Sequence, residues 1–161
     1  MDSAPSFLRV ENVSKSFGGL TVIQRLSFTL QQGEILGVIG PNGSGKTTLF
    51  NLITGFLKAD EGKIEFSGRD ITNKRPSSIC KLGITRTFQM VKPFTKLTTL
   101  ENVMAGRAYG KASAKDMKQA GKEAGELLDL VGLRSKQDIA AAQLNLIDRK
   151  KLEIARALAT R

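Results

Sequence analysis

The stretch Gly40–Thr47, GPNGSGKT, decides the fold because it matches the phosphate-binding pattern G-x-x-x-x-G-K-S/T at every fixed position. In front of it, Ile35–Ile39 is a short and mostly β-branched apolar run, which is typical of a strand buried on both faces of a sheet. Behind it, apolar residues recur at helical spacing from Leu49 to Phe56. The order of strand, glycine loop and helix predicts a site for a nucleoside triphosphate.

The residue types of the loop fit contact with a triphosphate. Its glycines allow positive φ and turn successive N–H groups towards an anion, and the first helical turn adds its own N–H groups and the positive end of the helix dipole. Lys46 is predicted to reach the β- and γ-phosphates, and Thr47 to bind the Mg²⁺ ion that bridges them. The alternative is a glycine-rich turn before a helix, with Lys46 solvated. The predicted contacts are Gly40, Pro41, Asn42, Gly43, Ser44, Gly45, Lys46, Thr47 and Thr48.

The composition is that of a soluble globular chain, with 161 residues of which 40% are hydrophobic and 25% charged. No apolar run approaches the ~20 residues that span a bilayer, and Met1–Pro5 lacks the basic and apolar regions of a signal peptide. Cys80 is the single cysteine and histidine is absent, which excludes a disulfide framework and zinc chemistry within the chain. We therefore expect a cytosolic chain without a membrane span.

The net charge of +10 admits nucleic acid, an anionic membrane or a nucleotide as partner. The basic residues are scattered between apolar positions, and neither aromatic interleaving, a recognition helix nor a zinc pattern accompanies them. A DNA-associated ATPase therefore stays an alternative that the charge alone supports. A GTPase is disfavoured because Asn73–Pro76 lacks the aspartate that would read guanine.

Alternation and turn residues predict the remaining elements. Strands are predicted at Phe7–Phe17, Leu26–Leu30, Lys63–Phe66 and Ile84–Phe88. Helices are predicted at Pro76–Lys81, Leu100–Ala108, Ala112–Val131 with Gly132 as its C-terminal cap, and from about Asp148 onward. The pieces fit one mixed α/β sheet with an antiparallel edge, followed by helices. We expect a nucleotide-binding core at residues 1–90 and a helical subdomain at residues 91–161.

The last helix has inward and outward positions but no stop signal. Neither glycine nor proline follows Ala157 before Arg161, so we expect the chain to continue beyond the printed sequence. Its predicted inward residues are Leu152, Ala155 and Leu158, and its predicted outward residues are Arg149, Lys150 and Arg156.

Together with the loop, three stretches resemble an ATP-binding-cassette ATPase, and within that family the ATP-binding subunit of a branched-chain amino acid importer. They are Val13–Leu20 (VSKSFGGL), Gly83–Gln89 (GITRTFQ) with its continuation to Val103, and Leu152–Leu158 (LEIARAL). The resemblance implies a P-loop ATPase fold, ATP and Mg²⁺ as cofactors, and a homo- or heterodimer with another ATP-binding subunit. It also implies transmembrane permease subunits as partners and a peripheral location on the cytoplasmic face of the membrane.

Individual roles follow from that resemblance. Phe17 matches the aromatic residue that stacks on adenine; the alternative is an ordinary core phenylalanine. Gln89 matches the glutamine that reaches Mg²⁺ and the attacking water, and with Lys46 it is the predicted catalytic pair; the alternative is a polar residue at a strand end. Met90–Leu100 resembles the segment that contacts the permease, with Val91, Pro93 and Phe94 as a docking patch.

The sequence departs from the family at Leu144–Asp148, LNLID, which stands in place of the Leu-Ser-Gly-Gly-Gln signature. In the family that signature binds the γ-phosphate of ATP held by the opposite subunit. Here Asn145 still offers a hydrogen bond, but Leu146 and Ile147 crowd the backbone and Asp148 brings a negative charge. The alternative is that Asp148 caps a helix.

The family's Mg²⁺-binding aspartate, general base and switch histidine have no counterpart in the printed residues. Without them we expect phosphoryl transfer to be slower by orders of magnitude, while the loop still binds nucleotide. ATP hydrolysis is therefore expected only of the complete protein. The competing interpretation is a nucleotide-binding interaction module without turnover.

Overall fold

The computed structural model of the chain describes residues 6–90 and 92–160, so Val91 of the predicted docking patch lies outside the described residues. By its backbone contacts the chain divides into two units, Met1–Ile79 and Cys80–Arg161. The functional division after residue 90 stays a prediction, because the compactness of a unit does not show where nucleotide binding ends.

The first unit is built on a four-stranded antiparallel sheet in the order β2-β1-β3-β4. β1 and β2 form a hairpin through Gly18 and Gly19, both at positive φ, as a tight two-residue turn requires. The antiparallel edge predicted from the alternating residues is therefore confirmed. The strands are β1 (Leu8–Phe17), β2 (Leu20–Leu30), β3 (Glu61–Phe66) and β4 (Arg69–Asp70).

This unit also contains α1 (Lys46–Ile53) and the first four residues of α2 (Pro76–Lys81). α1 is shorter than the apolar spacing predicts, because Gly55 takes a φ of +76° after its end and leaves Phe56 52% exposed. A side chain at position 55 would meet the Lys74 carbonyl oxygen at 2.3 Å, so only glycine fits there. The buried apolar residues of the unit are Val10, Val13, Ile23, Leu49, Leu52, Ile53, Ala59, Ile64, Ile71 and Ile79.

Two predicted strands are wrong. Ile35–Ile39 and Ile84–Phe88 have extended composition, but neither segment is paired in a sheet. Ile35 is 96% exposed and Ile39 94% exposed, which contradicts a strand buried on both faces. The physical reason is that a strand needs a hydrogen-bonded neighbour, and within residues 6–90 and 92–160 no strand pairs with either segment. The sheet in these ranges is accordingly antiparallel and not mixed.

The second unit is helical, with α3 (Thr99–Tyr109), α4 (Met117–Leu130) and α5 (Leu146–Ala159). Two short 3₁₀ turns, Arg134–Lys136 and Ala141–Gln143, connect the last two helices. The described part of the chain contains no helix that is both long and apolar enough to cross a membrane.

Capping residues set the helix boundaries of this unit. Thr98 and Glu101 form a reciprocal capping box at the start of α3. α4 starts later than predicted because the Asp116 side chain caps it, and Gly132 at φ +69° follows its end, as predicted. The helices enclose a core of Val103, Ala124, Leu127, Leu128, Leu133, Ala141, Leu144, Leu152, Ala155 and Ala159.

Candidate functional site

The loop Gly40–Gly45 lies against strand β2 in a form that requires glycine. Gly43 and Gly45 have φ of +83° and +88°, a region that other residues seldom adopt. A Cβ at Gly45 would lie 3.1 Å from the Val22 carbonyl oxygen, and one at Gly40 would lie 2.7 Å from the Ser44 hydroxyl oxygen. The spacing of the glycines in the pattern therefore corresponds to places where the backbone turns or is crowded.

Lys46 folds back into this loop. Its ammonium nitrogen donates to the carbonyl oxygens of Gly40 at 2.7 Å and Pro41 at 2.6 Å, and to the Ser44 hydroxyl at 3.4 Å. The curled loop therefore encloses a positive charge on a side chain that is only partly exposed. Lys46 is a bonded part of the loop and not a freely solvated lysine.

The start of α1 is open to an anion. Gly45 precedes the helix without a side-chain cap, and the first turn carries no acidic residue. The first N–H groups of a helix have no partner within it, so they and the dipole favour a negative group at this point. Thr47 is exposed and Thr48 is half-buried in the same turn. These groups fit a polyphosphate, and the Thr47 hydroxyl is a suitable single ligand for a phosphate-bound Mg²⁺.

Phe17 ends β1 and is 44% exposed, which contradicts the alternative of a core phenylalanine. The Lys15 ammonium lies 5.4 Å from the centroid of its ring and also contacts the Asp60 carboxylate at 2.6 Å. Asp60 in turn accepts the Ser16 N–H at 2.7 Å, and these two bonds hold the pKa of its carboxyl below the usual value. Phe17 therefore offers an aromatic surface at the end of the hairpin whose second strand contacts the glycine loop.

Gln89 belongs to the second unit and lies in an irregular segment, not at the end of a strand. It is exposed, as are its neighbours Phe88 and Met90. The Phe88 N–H donates to a carboxylate oxygen of Glu153 on α5 at 2.5 Å. The backbone next to Gln89 is therefore attached to the last helix.

The residues after Gln89 are attached to the same helix. The Arg156 guanidinium donates to the Lys92 carbonyl oxygen at 3.1 Å and stacks over the Phe94 ring, 4.7 Å from its centroid. Burial lowers the pKa of Arg156, and the Glu153 carboxylate acts against that shift. The prediction that Arg156 points outward is wrong, because the side chain packs on Phe94.

Asn102 supports this segment from α3 and is fully buried. Its side-chain oxygen accepts the Phe94 N–H at 2.8 Å, while its amide nitrogen donates to the carbonyl oxygens of Phe94, Leu97 and Thr98. No sequence pattern predicts Asn102, Glu153 or Arg156 as a site residue. Glu153 and Arg156 contact residues that are 65 and 64 positions away in the sequence, so no local pattern indicates these contacts.

The region in place of the family signature is a capped helix start. The Asn145 side-chain oxygen accepts the Asp148 N–H at 2.8 Å, so Asn145 caps α5 and the alternative of Asp148 as the cap is wrong. The Asp148 carboxylate is buried and accepts from the Lys136 ammonium at 2.5 Å. Leu146 and Ile147 are 68% and 67% exposed. At this helix start the Asp148 N–H therefore has an acceptor in Asn145, and the Asp148 charge is paired with Lys136.

The glycine loop and the helix α1 that follows it are the features that define the class of protein. The family model described as ABC transporter matches residues 23–161, and the chain belongs to that family.

Individual relatives make the similarity more specific. The chain is 42% identical over 160 residues to a probable branched-chain amino acid transport ATP-binding protein LivG of Archaeoglobus fulgidus, covering 94% of this chain and 62% of the relative. It is 39% identical over 171 residues to the protein of the same name from Methanocaldococcus jannaschii, covering 99% of this chain and 66% of the relative. The chain thus spans less than two thirds of these relatives.

Solved structures agree with the fold. The ADP conformation of an ATP-binding cassette of an ABC transporter superposes with a TM-score of 0.84 at 39% identity, over 98% of this chain and 66% of that one. A dimeric bacterial ABC transporter cassette superposes with a TM-score of 0.82 at 25% identity, over 95% of this chain and 69% of that one. The predicted ABC ATPase fold is therefore confirmed.

Proposed function

We propose that the chain is the ATP-binding part of an ABC importer for branched-chain amino acids, with Mg-ATP held by the loop Gly40–Thr48. The observation that carries the proposal is the start of α1, which is preceded by positive-φ glycines and has neither a side-chain cap nor an acidic residue. An anion is the group that such a helix start favours. The relatives named as transport ATP-binding proteins support ATP as that anion.

Within this proposal the contacts of the triphosphate divide between backbone and side chains. The N–H groups of the loop and of the first turn of α1 surround the phosphates, and Lys46 transfers hydrogen bonds from Gly40 and Pro41 to phosphate oxygens. The Thr47 hydroxyl holds Mg²⁺, whose chemistry is to neutralise charge on the phosphates. Phe17 stacks on the base through its exposed ring.

Hydrolysis and transport belong to the proposal for the complete protein. Gln89 is proposed to orient the attacking water, because an amide donates and accepts at once and this one is exposed. A second ATP-binding subunit is the proposed dimer partner, which the dimeric structural relative supports. Permease subunits would dock at Met90–Leu100, where Phe94 is 51% exposed, and would hold the protein at the cytoplasmic face of the membrane.

A second candidate function is nucleotide binding without turnover, and the helix start at Asn145 favours it. In the family this position binds the γ-phosphate across the dimer, whereas here Asn145 already accepts an N–H group and Asp148 is paired with Lys136. The two candidates differ in one quantity. A kcat for ATP measured in the complete dimer with its permease separates an importer ATPase from a binding module.

Binding of Mg-ATP to the full-length protein, measured by isothermal titration calorimetry, tests the loop assignment. Lys46→Ala should weaken binding by about 1.5–3 kcal/mol, or roughly 10- to 150-fold in Kd, because charge-assisted hydrogen bonds are lost. Lys58→Ala is the control, because it removes an exposed lysine beyond the end of α1 and should leave Kd unchanged. An unchanged Kd in a folded Lys46→Ala protein would refute the assignment, and preference for GTP over ATP would overturn the choice of nucleotide.

A further inference from the structure

Gln89 lies between two attachments to the same side of α5. Glu153 binds the N–H of Phe88, the residue before it, and Arg156 binds the carbonyl of Lys92 and the ring of Phe94 beyond it. Residues three apart on a helix are neighbours on its surface, so Glu153 and Arg156 stand side by side. We propose that these two side chains are positioning residues that hold the Gln89 segment on α5 and so fix where the Gln89 amide stands.

The chemistry of each attachment suits the task. A carboxylate accepts from the amide on one side of Gln89, and a guanidinium donates to a carbonyl on the other, so both bonds are charge-assisted and reach the backbone. Backbone attachment constrains the path of the chain itself, whatever side chains stand at positions 88 and 92. The planar guanidinium also stacks on Phe94, which a lysine ammonium does not reproduce.

The segment needs such attachments because it has no regular structure of its own. Residues 84–90 are neither helical nor paired in a sheet, and Gln89 is exposed. Phe94, five positions beyond Gln89, is already held by the buried amide of Asn102, so the Arg156 contact joins a fixed point of the chain to α5. Fixing both sides of Gln89 reduces the range of positions that its amide samples.

This inference rests on the proposed role of Gln89 in hydrolysis, but the attachment of the segment to α5 can be measured by amide hydrogen exchange without any ATP hydrolysis. In the full-length protein, the amide hydrogen of Phe88 should exchange about tenfold faster in Glu153→Ala than in the wild type, because its acceptor is lost. Glu153→Gln retains an acceptor oxygen and should restore protection. Lys150→Ala, at an exposed position of the same helix, should leave the exchange rate unchanged. Equal exchange in wild type and Glu153→Ala overturns the proposal.

The catalytic readout is ATP hydrolysis by the complete dimer with its permease. Glu153→Ala and Arg156→Ala should each lower kcat by about 10- to 100-fold with KM for Mg-ATP within about twofold, since misplacement of a positioned group affects the chemical step. In a Gln89→Ala background the same substitutions should have little further effect, because the group that they position is gone. An unchanged kcat, or a full additional loss in that background, overturns the proposal.

The two proposals fail differently. If the wild type binds Mg-ATP but does not hydrolyse it, proposed turnover fails, and Phe88 exchange alone decides whether Glu153 holds the segment. If the wild type hydrolyses ATP and the Glu153 and Arg156 variants do so equally well, the proposed function stands and the positioning role is refuted. Arg156→Lys should fall between wild type and Arg156→Ala in kcat, since it keeps the charge but loses the stacking geometry.

Discussion

The helix starts at Lys46 and at Leu146 are built in opposite ways. The first follows a glycine at positive φ and has no side-chain cap, and its first turn has no acid. The second follows Asn145, whose side chain caps it, and has Asp148 in its first turn. Every helix start presents the same unpaired N–H groups, so the residue before the helix decides whether they stay available to an anion. Of these two helix starts, the one at Lys46 leaves its N–H groups available to an anion, whereas Asn145 and Asp148 occupy the one at Leu146.

The largest change in the free energy of unfolding is expected from replacing the glycines of the loop before Lys46. Gly43→Ala should destabilise the protein by roughly 1–2 kcal/mol, the backbone cost of alanine at positive φ, because nothing lies within 4 Å of the added Cβ. Gly45→Ala has the same backbone cost and in addition presses on the Val22 carbonyl at 3.1 Å, so it should lose at least about 1 kcal/mol more. Urea unfolding of both variants measures the difference, and equal losses would contradict the close approach to β2.

A smaller change in the free energy of unfolding is expected at the start of α5, which Asn145 caps. Asn145→Ala removes the side-chain acceptor of the Asp148 N–H and should lower the free energy of unfolding by about 1 kcal/mol. Asn145→Ser is the matched control, because serine is also a good cap and should lose only a few tenths of a kcal/mol. The midpoint of urea unfolding at constant slope gives both values. A wild-type midpoint for Asn145→Ala would show that this cap contributes nothing.

The smallest effect concerns the charge at that same helix start. Asp148→Asn should cost about 0.5–1 kcal/mol at low salt, since it loses the pairing with Lys136 and the interaction with the helix dipole, while the 40% exposure of the Lys136 side chain limits the loss. Asp129→Asn breaks the 3.9 Å pair with Arg134 between two exposed side chains and should have no measurable effect. Unfolding at low and high salt compares them, and equal losses would contradict a special role for Asp148.

The sequence predicts best where one short stretch contains all the determinants. The glycine loop, the antiparallel edge of the sheet and the Gly132 cap each depend on residues that are close in sequence. All three are present, although β2 begins at Leu20 and not at the predicted Leu26. The strand predicted at Ile35–Ile39 is wrong because composition gives only a tendency towards extended backbone. A strand also needs a hydrogen-bonded neighbour, and within the described ranges no strand pairs with this segment.

The helix start at Asn145 was predicted less well, because both Asn145 and Asp148 are good capping residues. They lie three positions apart, and the choice depends on where the chain enters the helix, which Leu144 settles by its burial in the core. The contacts around Gln89 lie beyond local prediction altogether. Glu153 is 65 residues from Phe88 and Arg156 is 64 residues from Lys92, so only the packed helices bring them together.

The bonds of Lys46 with its own loop have a consequence for the heat of nucleotide binding. An ammonium group has three hydrogens, and the Gly40 carbonyl, the Pro41 carbonyl and the Ser44 hydroxyl are all within reach of it. In the proposed nucleotide site, contact of Lys46 with phosphate would therefore be an exchange of acceptors, in which the enthalpy released is the difference between two sets of bonds. The lysine would then contribute less heat than a count of its proposed phosphate contacts indicates, and its ordering would cost little further entropy because the side chain is already held.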